Sequence, residues 1–533
     1  MKAHLWANFA PTLENSVSTN EQPDRSVHQY KPVHKPFHQP IRAFLIVVAS
    51  LVFLQSLILT LARAEPPVPV AAGGPYDRVY NPANIPNGSD AAAGPNRWWQ
   101  AYGGPTHNAS YPAARNAPLW LVKGVTWGFS EARAWPLTQT HPFNTATLGE
   151  RSAQPIQTQS IGNALGVSMA DGVVYAESDD MFVYAINAKT GNLIWRTSPI
   201  ANNLMGNPLI VGDKVFVSAG SVAFNFANVE NFARNPDSAI RGDAINYNGV
   251  FALDRLTGSL LWYFPTRGET MTTPAYDAGL LFVATGAGNV HALRSENGSK
   301  VWTAHLGGIA NMASPAAADG VLYVAMSVKP YLYALDEKTG KVLWCGEIPG
   351  AVNTGMGDVA PAVDDDVVAM DAVSDPRVEH GIKTVDTTIR GFDAKSGAVL
   401  WTAQMGRGLL PPAFKGGMPM IHDGVLYLGS PVNSIYQARS LHTGKLLWQW
   451  KAPDADPAGA GRSPGSYYDG TLYIATGPDV YAIDPKSGKM TGRKHVGGRF
   501  GLINPVIVGG TVYLANSWDR INALPLSEIT PVH

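Results

Sequence analysis

Apolar and polar residues alternate in short runs along most of this chain. Runs such as Val183-Tyr-Ala-Ile-Asn187, Tyr333-Ala-Leu-Asp336 and Gly391-Phe-Asp393 carry the period-two pattern of strands with one face in and one face out. Each leads into the same kind of turn, in which a Gly is followed four positions later by a Trp. The pairs are Gly191 and Trp195, Gly258 and Trp262, Gly298 and Trp302, Gly340 and Trp344, Gly397 and Trp401, and Gly444 and Trp448. A seventh copy, Asp484 to Gly488, lacks the Trp. Thr-Gly or Ser-Gly shortly after Asp or Asn is hairpin-turn chemistry, with Gly taking the positive φ.

A second signature falls between the first ones. An Asp-Gly or Gly-Asp turn opens a β-branched and aromatic run, as in Asp171-Gly172-Val-Val-Tyr and Asp319-Gly320-Val-Leu-Tyr. Eight such turns recur at intervals of roughly 40 to 65 residues. Each unit therefore has four short strands, A into the Asp-Gly turn, B after it, C into the Thr-Gly turn, and D carrying the Trp. Four strands on that period predict an all-β fold, an eight-bladed β-propeller of four-stranded antiparallel blades over residues 117–533. The repeated Trp is then a wedge between neighbouring blades. The last unit ends at Ile521–Leu524 without a D strand. A ring must close, so Ala117-Pro-Leu-Trp-Leu-Val-Lys123, around Leu119–Val122, is expected to supply that strand. Two stretches break the period and are expected to be long loops, 222–248 with Phe224, Phe226 and Phe232, and 372–390. The apolar content of the first makes it the expected contact of a homodimer, with the second contributing.

Before the propeller lies an apolar stretch, Ala43–Leu61, preceded by Arg42 and followed by Ala62-Arg-Ala64. This reads residues 1–64 as a signal peptide cut after Ala64, with a retained anchor as the alternative. Residues 65–116 form an N-terminal lead-in. The protein is then exported, to the periplasm or the outer cell surface, where peripheral association with the outer membrane is a further expectation.

Composition narrows the chemistry. Of 533 residues only 15% are charged, and the formal net charge is −1. With no long basic run, nucleic acid is not an expected partner. The single cysteine excludes an intramolecular disulfide and any multi-cysteine zinc or iron–sulfur site, and no metal is expected. The connections from one blade's D strand to the next blade's A strand allow an internal comparison. Seven contain a proline, and the residue three before it is Met in three blades, Gly in two and Leu in one. In the fifth blade it is Asp358. A carboxylate where sister blades are uncharged, next to the ring axis, points to function; the alternative is a backbone-capping Asp in a Gly-rich turn. Arg407, Lys415, Arg462 and Arg499 are placed in D-to-A connections of the second half of the ring. Two or more of them together suit a dianion, and each one alone reads as a surface cation. Asn207, Thr273, Ser314, Ser463 and Asn504, just before the prolines, fit either that mouth or turn chemistry.

The Asp336-Glu-Lys-Thr-Gly340-Lys-Val-Leu-Trp344 repeat resembles the tryptophan-docking motif of quinoprotein (PQQ-binding-like) propellers. Trp99-Gln-Ala-Tyr102-Gly103-Gly-Pro-Thr-His-Asn108-Ala-Ser-Tyr111 resembles the N-terminal segment of quinoprotein dehydrogenases. The likeness covers about Trp98 to Leu524. Three departures redirect it. One cysteine cannot supply the adjacent pair found beside the quinone in those dehydrogenases. No CxxCH is present for covalent haem. Glu65, not a lipid-bearing Cys, follows the cleavage site. What remains is similar to the tetrathionate hydrolases of acidophilic sulfur-oxidising bacteria, which are exported and need no cofactor. The low charge density agrees with acid exposure, since few basic groups limit self-repulsion when carboxylates are protonated. The resemblance implies hydrolysis of tetrathionate, a small anionic substrate, to thiosulfate, sulfur and sulfate. Asp358 is the expected general base, kept ionised in acid by nearby cations. Arg462, Arg499, Lys415 and Arg407 are expected to hold the sulfonates. Cys345 is the covalent alternative, because a thiol attacks polythionates, yet it lies on an outer D strand with nothing near it to lower its pKa. A PQQ-dependent dehydrogenase and a non-enzymatic scaffold are the competing readings.

Overall fold

The computed structural model describes residues 77–88, 90, 98–99, 101–113, 117–131, 166–178, 182–198, 200, 204, 206–220, 248–268, 270–308, 310, 313–326, 331–352, 360–411, 416–453, 462–500, 504–516, 520–529 and 531. The expected signal segment 1–64 and nearly all of the 222–248 loop lie outside them. Among the described residues no helix is long and apolar enough to cross a membrane.

Eight antiparallel sheets follow one another along the chain. Blade 1 is built on Val167–Ala170, Val173–Glu177, Val183–Asn187 and Leu193–Arg196. Blades 2 to 6 repeat the plan, their A strands being Leu209–Val211, Ala275–Asp277, Ala316–Ala318, Ala362–Asp364 and Met420–His422. In blade 7, Ser466–Tyr468 pairs with the first part of Thr471–Ile483, and the second part pairs with Met490–Phe500. Blade 8 has Val506–Val508, Thr511–Asn516 and Arg520–Pro525. Its A strand packs against that of blade 1, so the ring is closed.

Local chemistry builds each blade. At six of the eight A–B turns both central residues have positive φ, as at Asp171 (48°) with Gly172 (78°) and Asp319 (52°) with Gly320 (79°). That geometry matches the right-handed twist of the strands it joins. At the C–D turns the Asp side chain caps the turn. Asp336 Oδ1 accepts from the Thr339 amide at 2.8 Å and from its hydroxyl at 2.7 Å, which holds the Asp336 carboxyl below its ordinary pKa. The Gly of that turn leaves room for the Trp of the preceding blade. Trp302 lies over Gly340 and donates Nε1–H to the Glu337 carbonyl at 2.7 Å; Trp344 does the same over Gly397 to Ala394 at 2.9 Å.

Closure corrects the expectation. Leu119–Lys123 is a short helix, entered through Pro118 and ended at Gly124 with φ 81°. Leu121 is buried, and its carbonyl accepts from the Gly510 amide at 2.8 Å, so this helix covers the blade 8 A–B turn. The fourth strand of blade 8 is Trp127–Ser130, paired with Arg520–Pro525. Trp127 lies over Gly191 of blade 1 and donates to the Ala188 carbonyl at 2.8 Å. It is the docking Trp of blade 8. The missing Trp of blade 7 is thereby explained, because blade 8, whose D strand comes from elsewhere in the chain, has no C–D turn to receive one.

The 372–390 stretch is strand rather than loop. Val367–Glu379 and Ile382–Asp393 form one long hairpin, with Val399–Leu409 alongside.

Candidate active-site mouth

The lead-in fills the ring axis. Trp98–Trp99 pairs with the blade 1 A strand. The carbonyls of Pro105, Thr106 and Ala109 then accept from Ala317, Val363 and Tyr467 of blades 4, 5 and 7. The Asn108 carboxamide spans the Ile421 amide and the Val363 carbonyl, both at 2.9 Å. At the blade 8 side, the Tyr102 amide donates to Asn504 Oδ1 at 2.9 Å, and Asn504 donates to the Tyr111 hydroxyl at 2.7 Å. Beside blades 2 and 3 the segment leaves a cavity of about 250 Å³, lined by Tyr102, His107, Leu209–Val211 and Thr273–Asp277.

His107, for which the sequence suggested no role, is a pin of this plug. It is buried, and its Nδ1 lies 2.7 Å from the carbonyl of Pro361. Burial pushes its pKa down to about 4, against the carbonyls of Pro361 and Pro315, which favour the charged ring. Pro361 is three residues beyond Asp358 in the chain.

Among the expected site residues, Asp358 and Lys415 lie outside the described residues. Arg499 is on the blade 7 strand Met490–Phe500, not in a free connection, and its side chain is outside the description. Arg462 is buried, with 2% of its surface exposed, in the approach to blade 7. Its Nε lies 3.5 Å from the Gly416 carbonyl, and its own carbonyl accepts from the Met418 amide at 3.2 Å. Burial raises the pKa of the Tyr102 hydroxyl, and the Arg462 charge offsets part of that rise. Arg462 thus lies buried between the lead-ins of blades 6 and 7, close enough to Tyr102 of the plug for its charge to act there.

Arg407 departs from the expectation. It sits on the strand Val399–Leu409 rather than in a connection. Its guanidinium is committed to Asp386 Oδ2 at 2.7 Å, the Asp375 carbonyl at 3.0 Å and Thr384 Oγ1 at 3.0 Å, which brace the long hairpin. Cys345 is exposed on the outer strand Val342–Gly346 of blade 4, and burial of part of its thiol pushes the pKa up. Asn207, Thr273 and Ser314, each just before a proline, are interblade ties: Asn207 Nδ2 donates to Thr273 Oγ1 and the Thr273 amide to Ser314 Oγ, each at 3.0 Å.

Two acids went unnoticed in the sequence. Glu177 ends the B strand of blade 1, and Asp371 takes the corresponding fifth position of the long B strand of blade 5; both have no exposed surface. Burial raises the Asp371 carboxyl to about 7, and Glu177 well above the ordinary range. The signal was present, since the six sister B strands carry Ala, Ser or Gly at this position.

Residues 144–231, 246–378, 385–453 and 433–526 match the repeat family PQQ_2, described as outer membrane protein assembly factor BamB. The class is therefore that of PQQ-type repeat propellers. Within it, the chain is 54% identical over 485 residues to the tetrathionate hydrolase of Acidithiobacillus ferrooxidans, covering 90% of this chain and 97% of that protein. It is 35% identical over 443 residues to the tetrathionate hydrolase of Acidianus ambivalens, covering 78% and 81%. The chain belongs to the tetrathionate hydrolase family. Among solved structures, a europium-containing methanol dehydrogenase matches at 13% identity and a TM-score of 0.49, over 81% of this chain and 91% of that one.

Proposed function

We propose that the protein is an exported hydrolase that splits tetrathionate at the axial mouth. The observation that carries the reading is the 54% identity to a curated tetrathionate hydrolase across 90% of the chain. One tetrathionate dianion and one water give thiosulfate, one sulfur atom, sulfate and two protons. The electrons balance within the substrate, so no outside oxidant is required. Asp358 is the general base that takes a proton from the attacking water. Arg462, with Lys415 and Arg499, holds the sulfonate groups by charge-assisted bonds. Arg407 is left out of that set because its donors are bound within the hairpin.

The quinone of the wider superfamily does not fit these residues. The one cysteine is on an outer strand, and the plug with Tyr102 and His107 fills the axis, so no step is routed through that group. A homodimer belongs to the same reading, supported by Val378 and Ile382, 68% and 52% exposed at the end of the long hairpin. So does peripheral outer-membrane association, which fractionation of cells tests.

Thiosulfate release from tetrathionate by purified protein, without added cofactor and from acid to neutral pH, tests the reaction. Asp358→Asn is expected to keep the fold and lose turnover by ~10²–10⁴; Cys345→Ser is expected to stay active. A dead Cys345→Ser beside an active Asp358→Asn would replace the base with a covalent thiol.

A further inference from the structure

The two buried acids have matching partners in the next blade. Two residues before the A-strand proline, blades 2 and 6 carry Gly206 and Gly417. The other five such connections have Thr272, Ala313, Val359, Arg462 and Ile503 there. Glycine thus stands at this point only in the blades that follow Glu177 and Asp371. In an eight-membered ring, blades 1 and 5 face each other, so the two acid–glycine pairs sit on opposite sides of the axis.

Geometry explains the pairing. The Gly417 amide donates to Asp371 Oδ2 at 2.9 Å. A Cβ on Gly417 would strike the Gly429 carbonyl, so no larger residue fits there, and one on Gly206 would push aside the Glu177 carboxylate. Asp371 Oδ1 has no hydrogen-bond partner among the described residues. Such a buried carboxyl is costly, and six sister blades do without it. What differs around Asp371 is what its glycine adjoins. Gly416, next in the chain, offers its carbonyl to Arg462 Nε, and Met418 binds the Arg462 carbonyl. The Glu177 carboxyl packs against the Gly206 backbone, short of a full hydrogen bond.

We propose that Asp371 is a positioning residue of the mouth, latching the 416–418 backbone of blade 6 and, through it, setting Arg462 for the dianionic substrate. The role rests on the tetrathionate reading of that mouth. Glu177 is the matching latch across the ring, and serves as a built-in control.

The test uses the full-length protein with Asp371→Ala, Asp371→Asn and Glu177→Ala. Alanine is what four of the six sister blades carry at this position, so the fold tolerates it. Asp371→Ala is expected to raise KM for tetrathionate about 10-fold, the scale of one lost hydrogen bond, with kcat little changed. Asp371→Asn, whose carboxamide oxygen still accepts from Gly417, is expected to restore the KM. Glu177→Ala should leave KM as in the wild type. Amide hydrogen exchange over 416–418 should be about 10-fold faster in Asp371→Ala alone. Unchanged exchange in Asp371→Ala overturns the latch. Faster exchange with unchanged KM, or an equal KM rise in Glu177→Ala, overturns the positioning role. If the wild type does not turn over tetrathionate, the substrate reading falls and the positioning role with it, while exchange still decides the latch.

Discussion

Asp358 and Asp371 stand 13 positions apart in one blade, and only the first was legible in the chain. Comparing lead-ins isolates Asp358, because its sisters are uncharged. Asp371 needed the B strands to be compared in the same way, and its meaning needed the contact with Gly417 in the next blade. Its pKa has a measurable consequence. Asp371 is raised to about 7 from the ordinary 3.8, so the folded chain keeps a proton that the unfolded chain loses in that interval. Its stabilising effect is complete below about pH 4 and lost as pH rises through about 7. His107, lowered to about 4 from 6.5, acts in the opposite sense, with stability lost as pH falls through that interval. Asp371→Asn removes the first slope only. Relative to the wild type it is expected to gain on the order of a few kcal/mol between pH 4 and pH 8, read from denaturant unfolding at both. An equal difference at the two pH values would contradict it.

At the scale of elements, the hairpins were readable because their chemistry is local. Asp-Gly at an A–B turn and Asp-x-x-Thr-Gly at a C–D turn both need positive φ within a few residues. The two glycines nevertheless do different work. Gly320 has φ 79° and open space where a Cβ would go, whereas at Gly340 (φ 71°) a Cβ would lie 2.5 Å from the Trp302 ring. Gly320→Ala is expected to cost about 1 kcal/mol from backbone strain, and Gly340→Ala about 2–4 kcal/mol because the Trp must also be displaced. Thermal unfolding of the two variants separates them; equal shifts would mean that docking adds nothing. The stretch 372–390 was harder to read. Its alternation was hidden by Asp375-Pro376 and by His380-Gly381, which make a bulge and a turn in one continuous hairpin.

For the whole molecule the decisive feature is closure. The strand Trp127–Ser130 ties the beginning of the propeller to its end, and Trp127 docks blade 8 on blade 1. Trp127→Ala is expected to destabilise the protein by about 2–4 kcal/mol, somewhat below a fully buried Trp, and to speed unfolding. Unfolding kinetics in denaturant test this. A rate equal to the wild type would show that the ring stays shut without that wedge.

The eight-fold repeat, the four-strand blade, the turns and the odd carboxylate Asp358 were determined by the sequence alone. Each depends on interactions spanning a few residues, or on comparing one repeat with another. The closing strand, the plug along the axis, the bracing role of Arg407 and the Asp371–Gly417 latch were decided only in three dimensions. Leu119–Val122 and Trp127–Ser130 are both short apolar runs before blade 1, and neither carries a local mark of pairing with Arg520–Pro525, nearly 400 residues away. Helix or strand was settled there by Pro118 and Gly124 at the ends of one run and by the Gly191 surface waiting for Trp127 at the other. Long-range partners choose among local conformations of similar free energy, and a single chain read in order does not contain that choice.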